Sequence, residues 1–402
     1  MTREFIDFVQ AHQDEDTARL LLSAARYPGI DMAAAVNQIE GLRMAREKWP
    51  LLAECREYRY PPRLNREQAS SEATARYKAS VLNTEHYTLN TICDLTGGMG
   101  VDTMALAQVA THVDYVEQDA GLCTLMEHNC RALGISNITV HCADSMEWLR
   151  QLNIQNSEFR IVYIDPARRD SHGRKVAAFE DCTPDILQHL DRLRSKASRL
   201  LVKASPMIDL HRATEQLGTV SEVHIVAVKG ECKEVLFLCD SAHDGETVMH
   251  CIDLKDFKGP NVFSFTRAEE QAAEAVYSDR VEHYLYDPHA ALRKGGCFRL
   301  LGQRYGLPLL GPNTHLYTSP TPVPDFPGRG FEVLQEVTLD RKAVKRVLPD
   351  GKAHVVVRNF PTEAAALQRQ LGLREGGDCF LVAAPVGGKL RGLLCRLLKS
   401  AK

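Results

Sequence analysis

Over the first sixty positions apolar residues recur at three- and four-residue spacing, in EFIDFVQAHQ, DTARLLLSAARY and DMAAAVNQIEGLRMAREKWPLLAE. That spacing predicts a run of amphipathic helices. Pro28-Gly29 breaks the first group from the second. YRYPPRLN (58–65) reads as a linker, and EQASSEATARYKASVL as one more helix. A regular alternation follows. TICDL (91–95), HVDYVE (112–117), NITVH (137–141), RIVYID (160–165), RLLVKA (199–204), EVHIVAV (222–228) and EVLFLCD (234–240) are short β-rich runs. Helical segments 101–110, 120–133, 145–152, 184–193 and 208–217 separate the first six. Strand and helix alternating in this way predict a doubly wound α/β fold: a seven-stranded, mostly parallel sheet covered on both faces. The short turn KGECK makes the last strand antiparallel.

Beyond residue 245 the pattern changes. Asp253–Arg304 mixes helical runs with YLYDPHAALRKGG, and 307–330 is dense in Pro and Gly, which predicts a long ordered loop or connection. Residues 331–402 alternate strand, helix, strand, helix and strand before a basic tail, a small α+β module. The predicted boundaries are 1–84, a helical domain; 85–243, the doubly wound domain; 244–330, a middle α+β or connecting region; and 331–402, the basic module.

Composition adds little. The 44% hydrophobic and 25% charged content is that of a globular protein. No apolar run approaches the ~18 residues of a membrane span. The N-terminus lacks a signal-peptide core, so a cytoplasmic protein is expected. Twelve cysteines are scattered without a C-x-x-C pair or a Cys/His cluster at zinc spacing. Cys93, Cys142 and Cys239 fall in or beside apolar strands, so reduced, mostly buried thiols and no metal are expected. Net charge is −3, but residues 341–402 carry thirteen Lys/Arg against four Asp/Glu. A basic end on an acidic body fits a polyanion partner and equally fits a solvated face.

The chemistry concentrates at strand ends. DLTGGMGVD (94–102) closes the first strand and opens a helix, and its glycines allow close approach of the backbone to a ligand. A dinucleotide site is disfavoured, because the third glycine of G-x-G-x-x-G is missing and Asp94 would repel a pyrophosphate. The same carboxylate suits a cationic amine and sulfonium. Glu117 ends the second strand, where a carboxylate can accept both ribose hydroxyls of an adenosine. Asp144 and Ser145 follow the third strand, at a place suited to an adenine amine. Asp165-Pro166 ends the fourth. Any one of these acids could be a helix N-cap, Asp144 above all. One per successive strand is hard to explain by capping alone.

DLTGGMGVDTMALA, VEQD, ADS and IDPARRD resemble, in order and spacing, the binding motifs of the class I (Rossmann-like) S-adenosylmethionine-dependent methyltransferases. The likeness covers roughly residues 85–240. The glycine loop looks most like those of RNA methyltransferases, including ribosomal RNA uridine-5- and guanine-methylating enzymes. Helical N-terminus, this domain and a basic C-terminal module together resemble the bacterial THUMP-like methyltransferases. The resemblance implies S-adenosylmethionine held by Asp94, Thr96, Gly97, Gly98, Gly100, Asp102, Glu117, Gln118, Asp144 and Ser145. It also implies catalysis at Asp165 and Pro166 with Arg168, a ferredoxin-like or THUMP-like C-terminal module, and RNA as partner.

Two departures matter. Thr96 stands where the loop's first glycine is common. DPAR (165–168) replaces the D/N-P-P-aromatic string with which amine-methylating enzymes hold the target amine and stack the base; Arg168 could stack on a base, hold a phosphate or lie at the surface. DPAR is also what uridine-5-methylating enzymes carry, but their chemistry needs a cysteine nucleophile. This chain has KASP at 203–206, with Ala204 in the cysteine's place, which rules that reaction out. The basic loop 168–175 is a candidate phosphate contact, and Ser70, Arg76 and Lys78 are candidates at the methionine end of the cofactor. His172, His283 and His315 have no recognisable partners. The expected reaction is direct transfer to a base nitrogen of ribosomal or transfer RNA, without a metal. A protein or small-molecule acceptor, or an inactive scaffold, are the alternatives.

Overall fold

The computed structural model describes residues 2–83, 91–152, 159–168, 178–254 and 261–398. By internal packing it divides into two units, 1–221 with 236–245, and 222–235 with 246–402. Nine strands form the large sheet: β1 (Thr91–Asp94), β2 (His112–Glu117), β3 (Ile138–Cys142), β4 (Phe159–Ile164), β5 (Ala197–Ala204), β6 (Val220–Val228), β7 (Glu231–Asp240), β8 (Val248–Leu254) and β9 (Asn261–Thr266). Their order is β9-β8-β6-β7-β5-β4-β1-β2-β3. β3, β2, β1, β4 and β5 pair in parallel, as the alternation of strand and helix predicts. β6 and β7 are joined by Lys229 and Gly230, both at positive φ, the geometry of a two-residue hairpin turn. The seven predicted strands are present, and β8 and β9 extend them. The isolated histidine and short apolar runs of these last two gave them no strand signature.

In the first unit the helices Ala120–Leu133 and Ser145–Gln151 begin on Asp119 and Asp144, whose carboxylates accept amides of the first turn. The N-terminal helices pack into the same core as the glycine loop. Leu42, Ala45, Trp49 and Ala79 cluster with Met99, Met104, Tyr115 and Met126. The stretch 58–65 is not a free linker. Tyr58 and Tyr60 are 2% and 4% exposed, because their rings fill that core, and the Cβ of Tyr60 seats against Gly41.

The second unit carries a six-stranded sheet. Its strands are β10 (Tyr284–Pro288), β11 (Tyr317–Ser319), β12 (Gly328–Val337), β13 (His354–Val357), β14 (Cys379–Val386) and β15 (Lys389–Leu397), in the order β11-β10-β12-β15-β14-β13. β13 and β14 run parallel across the helix Ala364–Leu371. Two sequence expectations change here. The Pro/Gly-rich stretch contributes β11 and buries Leu309, Leu310, Leu316 and Tyr317, so its apolar residues dominate its turn residues. The basic tail is strand β15, which buries Gly392 to Cys395 and turns back from β14 through Gly387-Gly388. No described helix is long and apolar enough to cross a membrane.

Candidate active site

Everything in the candidate site lies in the first unit, at the carboxyl ends of β1, β2, β4 and β5, where parallel α/β sheets bind ligands. Asp94 ends β1 and is 1% exposed. Its Oδ1 accepts the Thr96 N–H at 3.0 Å and its Oδ2 the Thr103 hydroxyl at 2.6 Å. Burial pushes the carboxyl up to about 7, further than these two hydrogen bonds pull it down. Both ends of the glycine loop are thus tied to one side chain.

At two of its glycines the loop is closely packed by the protein. A Cβ on Gly97 would meet the Tyr115 ring at 2.2 Å, and one on Gly100 the Met126 sulfur at 2.5 Å. Gly98 and Gly100 also hold φ of +52° and +80°. Tyr115 donates its hydroxyl to the Gly98 carbonyl at 2.7 Å. Glu117 ends β2 and accepts the Gly98 N–H on Oε2 and the Asp119 N–H on Oε1, both at 2.9 Å. Each carboxylate oxygen keeps a further lone pair for a ligand hydroxyl. Gln118 beside it is exposed. Asp144 is exposed and caps its helix by accepting the Glu147 N–H at 2.9 Å, with Ser145 half-buried next to it. Of the four strand-end acids Asp144 is the one that serves as an N-cap.

Asp165 follows β4. Its N–H donates to the Thr96 hydroxyl at 2.7 Å, and its Oδ2 accepts from Lys203 Nζ at 2.5 Å. Thr96, the departure from the usual glycine, therefore joins the loop to the strand that carries Asp165. The Asp165 side chain is 35% exposed and Pro166 is buried. Arg168 stands in a two-residue ribbon, its backbone paired with Cys182. Its side chain and the rest of the basic loop, including His172, lie outside the described residues.

Behind this face is a charged network that the sequence showed only in pieces. Asp102 Oδ2 accepts from Ser70 Oγ at 2.7 Å and Tyr163 Oη at 2.8 Å, and Lys78 Nζ lies 3.2 Å from Oδ1. Lys78 and Lys203 both reach Ser70 Oγ, at 3.2 and 3.3 Å. Burial pushes Asp102 up, yet Lys78 and then Lys203 outweigh it and hold the carboxyl below the ordinary range. Ser70 and Lys78 are thus brought to the site, whereas Arg76 pairs with Glu72 on its own helix. Sequence reasoning missed Lys203. Its signal was a lysine ending an otherwise apolar strand, RLLVKA, at the edge that carries Asp165. Of the other histidines, His283 lies beside Glu332 and His315 stacks on Phe298.

A structure from Porphyromonas gingivalis W83, described as a methyltransferase, is 30% identical and superposes with a TM-score of 0.84 over 98% of both chains. The chain belongs to that methyltransferase family. It is a class I enzyme with a THUMP-like module, and its cofactor is S-adenosylmethionine. Three family models match parts of this methyltransferase: conserved hypothetical protein 95 at residues 73–180, a ferredoxin-like domain at 284–327, and a THUMP domain-like model at 328–397. Partial similarity extends to an rRNA methylase from Streptococcus thermophilus, 14% identical over 42% of this chain and 93% of that one, TM-score 0.30. It extends also to the M. jannaschii tRNA m1G37 methyltransferase, 13% identical over 43% and 50%, TM-score 0.29. No curated protein matches the chain. The donor set fits the cofactor: a glycine loop with Gly98 and Gly100 at positive φ and Gly97 closed to any side chain, a strand-end carboxylate with lone pairs to spare, and two further strand-end acids, Asp94 and Asp165, that suit a cationic ligand.

Proposed function

We propose that this methyltransferase passes the methyl group of S-adenosylmethionine directly, in line, to a nitrogen of an RNA base. The observation that carries the proposal is the setting of Asp165. It is partly exposed at the carboxyl end of β4, its backbone fixed by Thr96 and one carboxylate oxygen held by Lys203. With Oδ2 engaged, Oδ1 and the Pro166 carbonyl would accept hydrogen bonds from the target amine and aim its lone pair at the methyl carbon. The bound cofactor would supply the methyl group from its sulfonium and be left as the neutral thioether, and the amine proton would pass to solvent. The sulfonium is already activated, so positioning supplies most of the acceleration.

Glu117 would bind the ribose hydroxyls, Asp144 with Ser145 the adenine, and Gln118 would flank the nucleoside. Asp94, Thr96, Gly97, Gly98 and Gly100 would form the cradle, and Asp102 with Ser70 and Lys78 would complete the methionine end. RNA as acceptor rests on the THUMP-like match and on the helix Arg341–Val347 within it. That helix exposes Arg341, Lys342, Lys345 and Arg346 and contains no acid. Phosphates are the usual target of such a surface. Arg168, in the basic loop 168–175, would add a contact beside Asp165.

The test is incubation with methyl-labelled cofactor and an extract of cells lacking the gene, followed by separation of RNA from protein. Label in the RNA fraction that survives protease and is released as a methylated nucleoside is expected. Label confined to protein or small molecules would move the acceptor elsewhere.

A further inference from the structure

In the second unit β6 and β8 lie side by side in parallel, with His224 opposite His250. Residues two apart on a strand share a face, so Glu222 stands beside His224. Glu222 Oε2 lies 3.0 Å from His224 Nε2 and 3.4 Å from His250 Nε2, and the imidazoles stack with centroids 4.7 Å apart. The three donor atoms all fall within 4.8 Å of one another. Ser264, on the neighbouring strand β9, places Oγ 2.8 Å from His250 Nδ1. When that hydroxyl accepts the Nδ1 proton, the lone pair of His250 sits on Nε2, turned toward the other two donors. His224 is 5% exposed.

We propose that Glu222, His224 and His250 form a binding site for a divalent transition-metal ion, zinc in particular. Bond lengths of ~2.0–2.2 Å set the donors of a tetrahedral zinc roughly 3.3–3.6 Å apart. The two carboxylate–imidazole distances of 3.0 and 3.4 Å are close to this, and the two ring nitrogens, within 4.8 Å, would draw together on the ion. Two imidazoles with one carboxylate suit zinc, whereas calcium and magnesium take oxygen donors. The Glu222 side chain is 39% exposed, so the fourth position is reachable by water or a ligand. The ion would tie β6 to β8, with Ser264 on β9 orienting one ligand. No zinc spacing is visible in the sequence because the ligands come from strands that are adjacent only through the register of the sheet.

The experiment uses the full chain stripped with a chelator and titrated with zinc against a chromogenic competitor. One equivalent bound tightly, with a rise in Tm, is expected. Cobalt in its place should give visible d–d bands without thiolate charge transfer, which separates this site from the cysteines. His250→Ala should abolish the binding. Ser264→Ala should weaken it on the order of tenfold or more, and this variant with Glu222→Gln carries the test if His250→Ala fails to fold. Equal zinc affinity in wild type and folded variants, or cobalt bands showing thiolate ligation, would overturn the proposal and leave a hydrogen-bonded Glu-His-His cluster.

Discussion

At the scale of single residues, the proposed cofactor face presents carboxylates that spend some lone pairs on the protein and would offer the rest to a ligand. Glu117 shows the division most clearly. It spends one lone pair per oxygen on the backbone of Gly98 and Asp119. Hydrogen bonds to a charged acceptor contribute ~1.5–3 kcal/mol each. Two such bonds to the ribose total ~3–6 kcal/mol, so Glu117→Ala is expected to weaken S-adenosylmethionine binding on the order of 100-fold or more in calorimetry, and the same change also releases the loop. Asp94 gives a second prediction, with a sign. Its carboxyl titrates at about 7, and the cationic methionine end favours the ionised form. Below that pH the free protein must lose a proton in order to bind. Affinity should fall as pH drops from about 7 toward about 5, approaching tenfold per unit. Asp94→Asn should bind weakly with little dependence on pH over this range. A flat profile in the wild-type protein would separate Asp94 from cofactor binding.

At the scale of elements, most of this was legible in advance. Strand-end acids, the glycine loop and the alternation of strand and helix are local signals, and the large sheet carries them in order. What was hidden had non-local causes. Lys203 meets Asp165 only because β4 and β5 pair, and Asp102 meets Lys78 only because the helix Glu72–Leu82 packs on the glycine loop's helix. The tyrosines of 58–60 looked like linker because proline dominates the local pattern, while burial depends on partners far along the chain. Strand β15 looked like a tail because Lys389, Arg391 and Arg396 mask the buried centre Gly392–Cys395. The helix Arg341–Val347 yields an element-scale prediction. Replacing Arg341, Lys342, Lys345 and Arg346 with alanine should weaken RNA binding. It should also lower the salt slope, log Kobs against log salt, by as much as about 3, from roughly 0.7 per phosphate on single strands. An unchanged slope would remove this helix from the RNA contact.

At the scale of the whole molecule, a class I methyltransferase domain and a THUMP-like module on one chain imply two separable tasks, holding the cofactor and presenting the acceptor. In the proposed mechanism Asp94 and Glu117 would serve the first and Asp165 the second, and Asp94 and Asp165 are linked through Thr96. The division can be read in one comparison. Wild type and Asp165→Ala are each measured for S-adenosylmethionine affinity and for single-turnover methyl transfer to RNA from cells lacking the gene. Cofactor affinity within about threefold of wild type and transfer reduced on the order of 100-fold or more are expected in the variant. Transfer at the wild-type rate, or a loss explained wholly by cofactor affinity, would contradict the assignment of Asp165 to the acceptor.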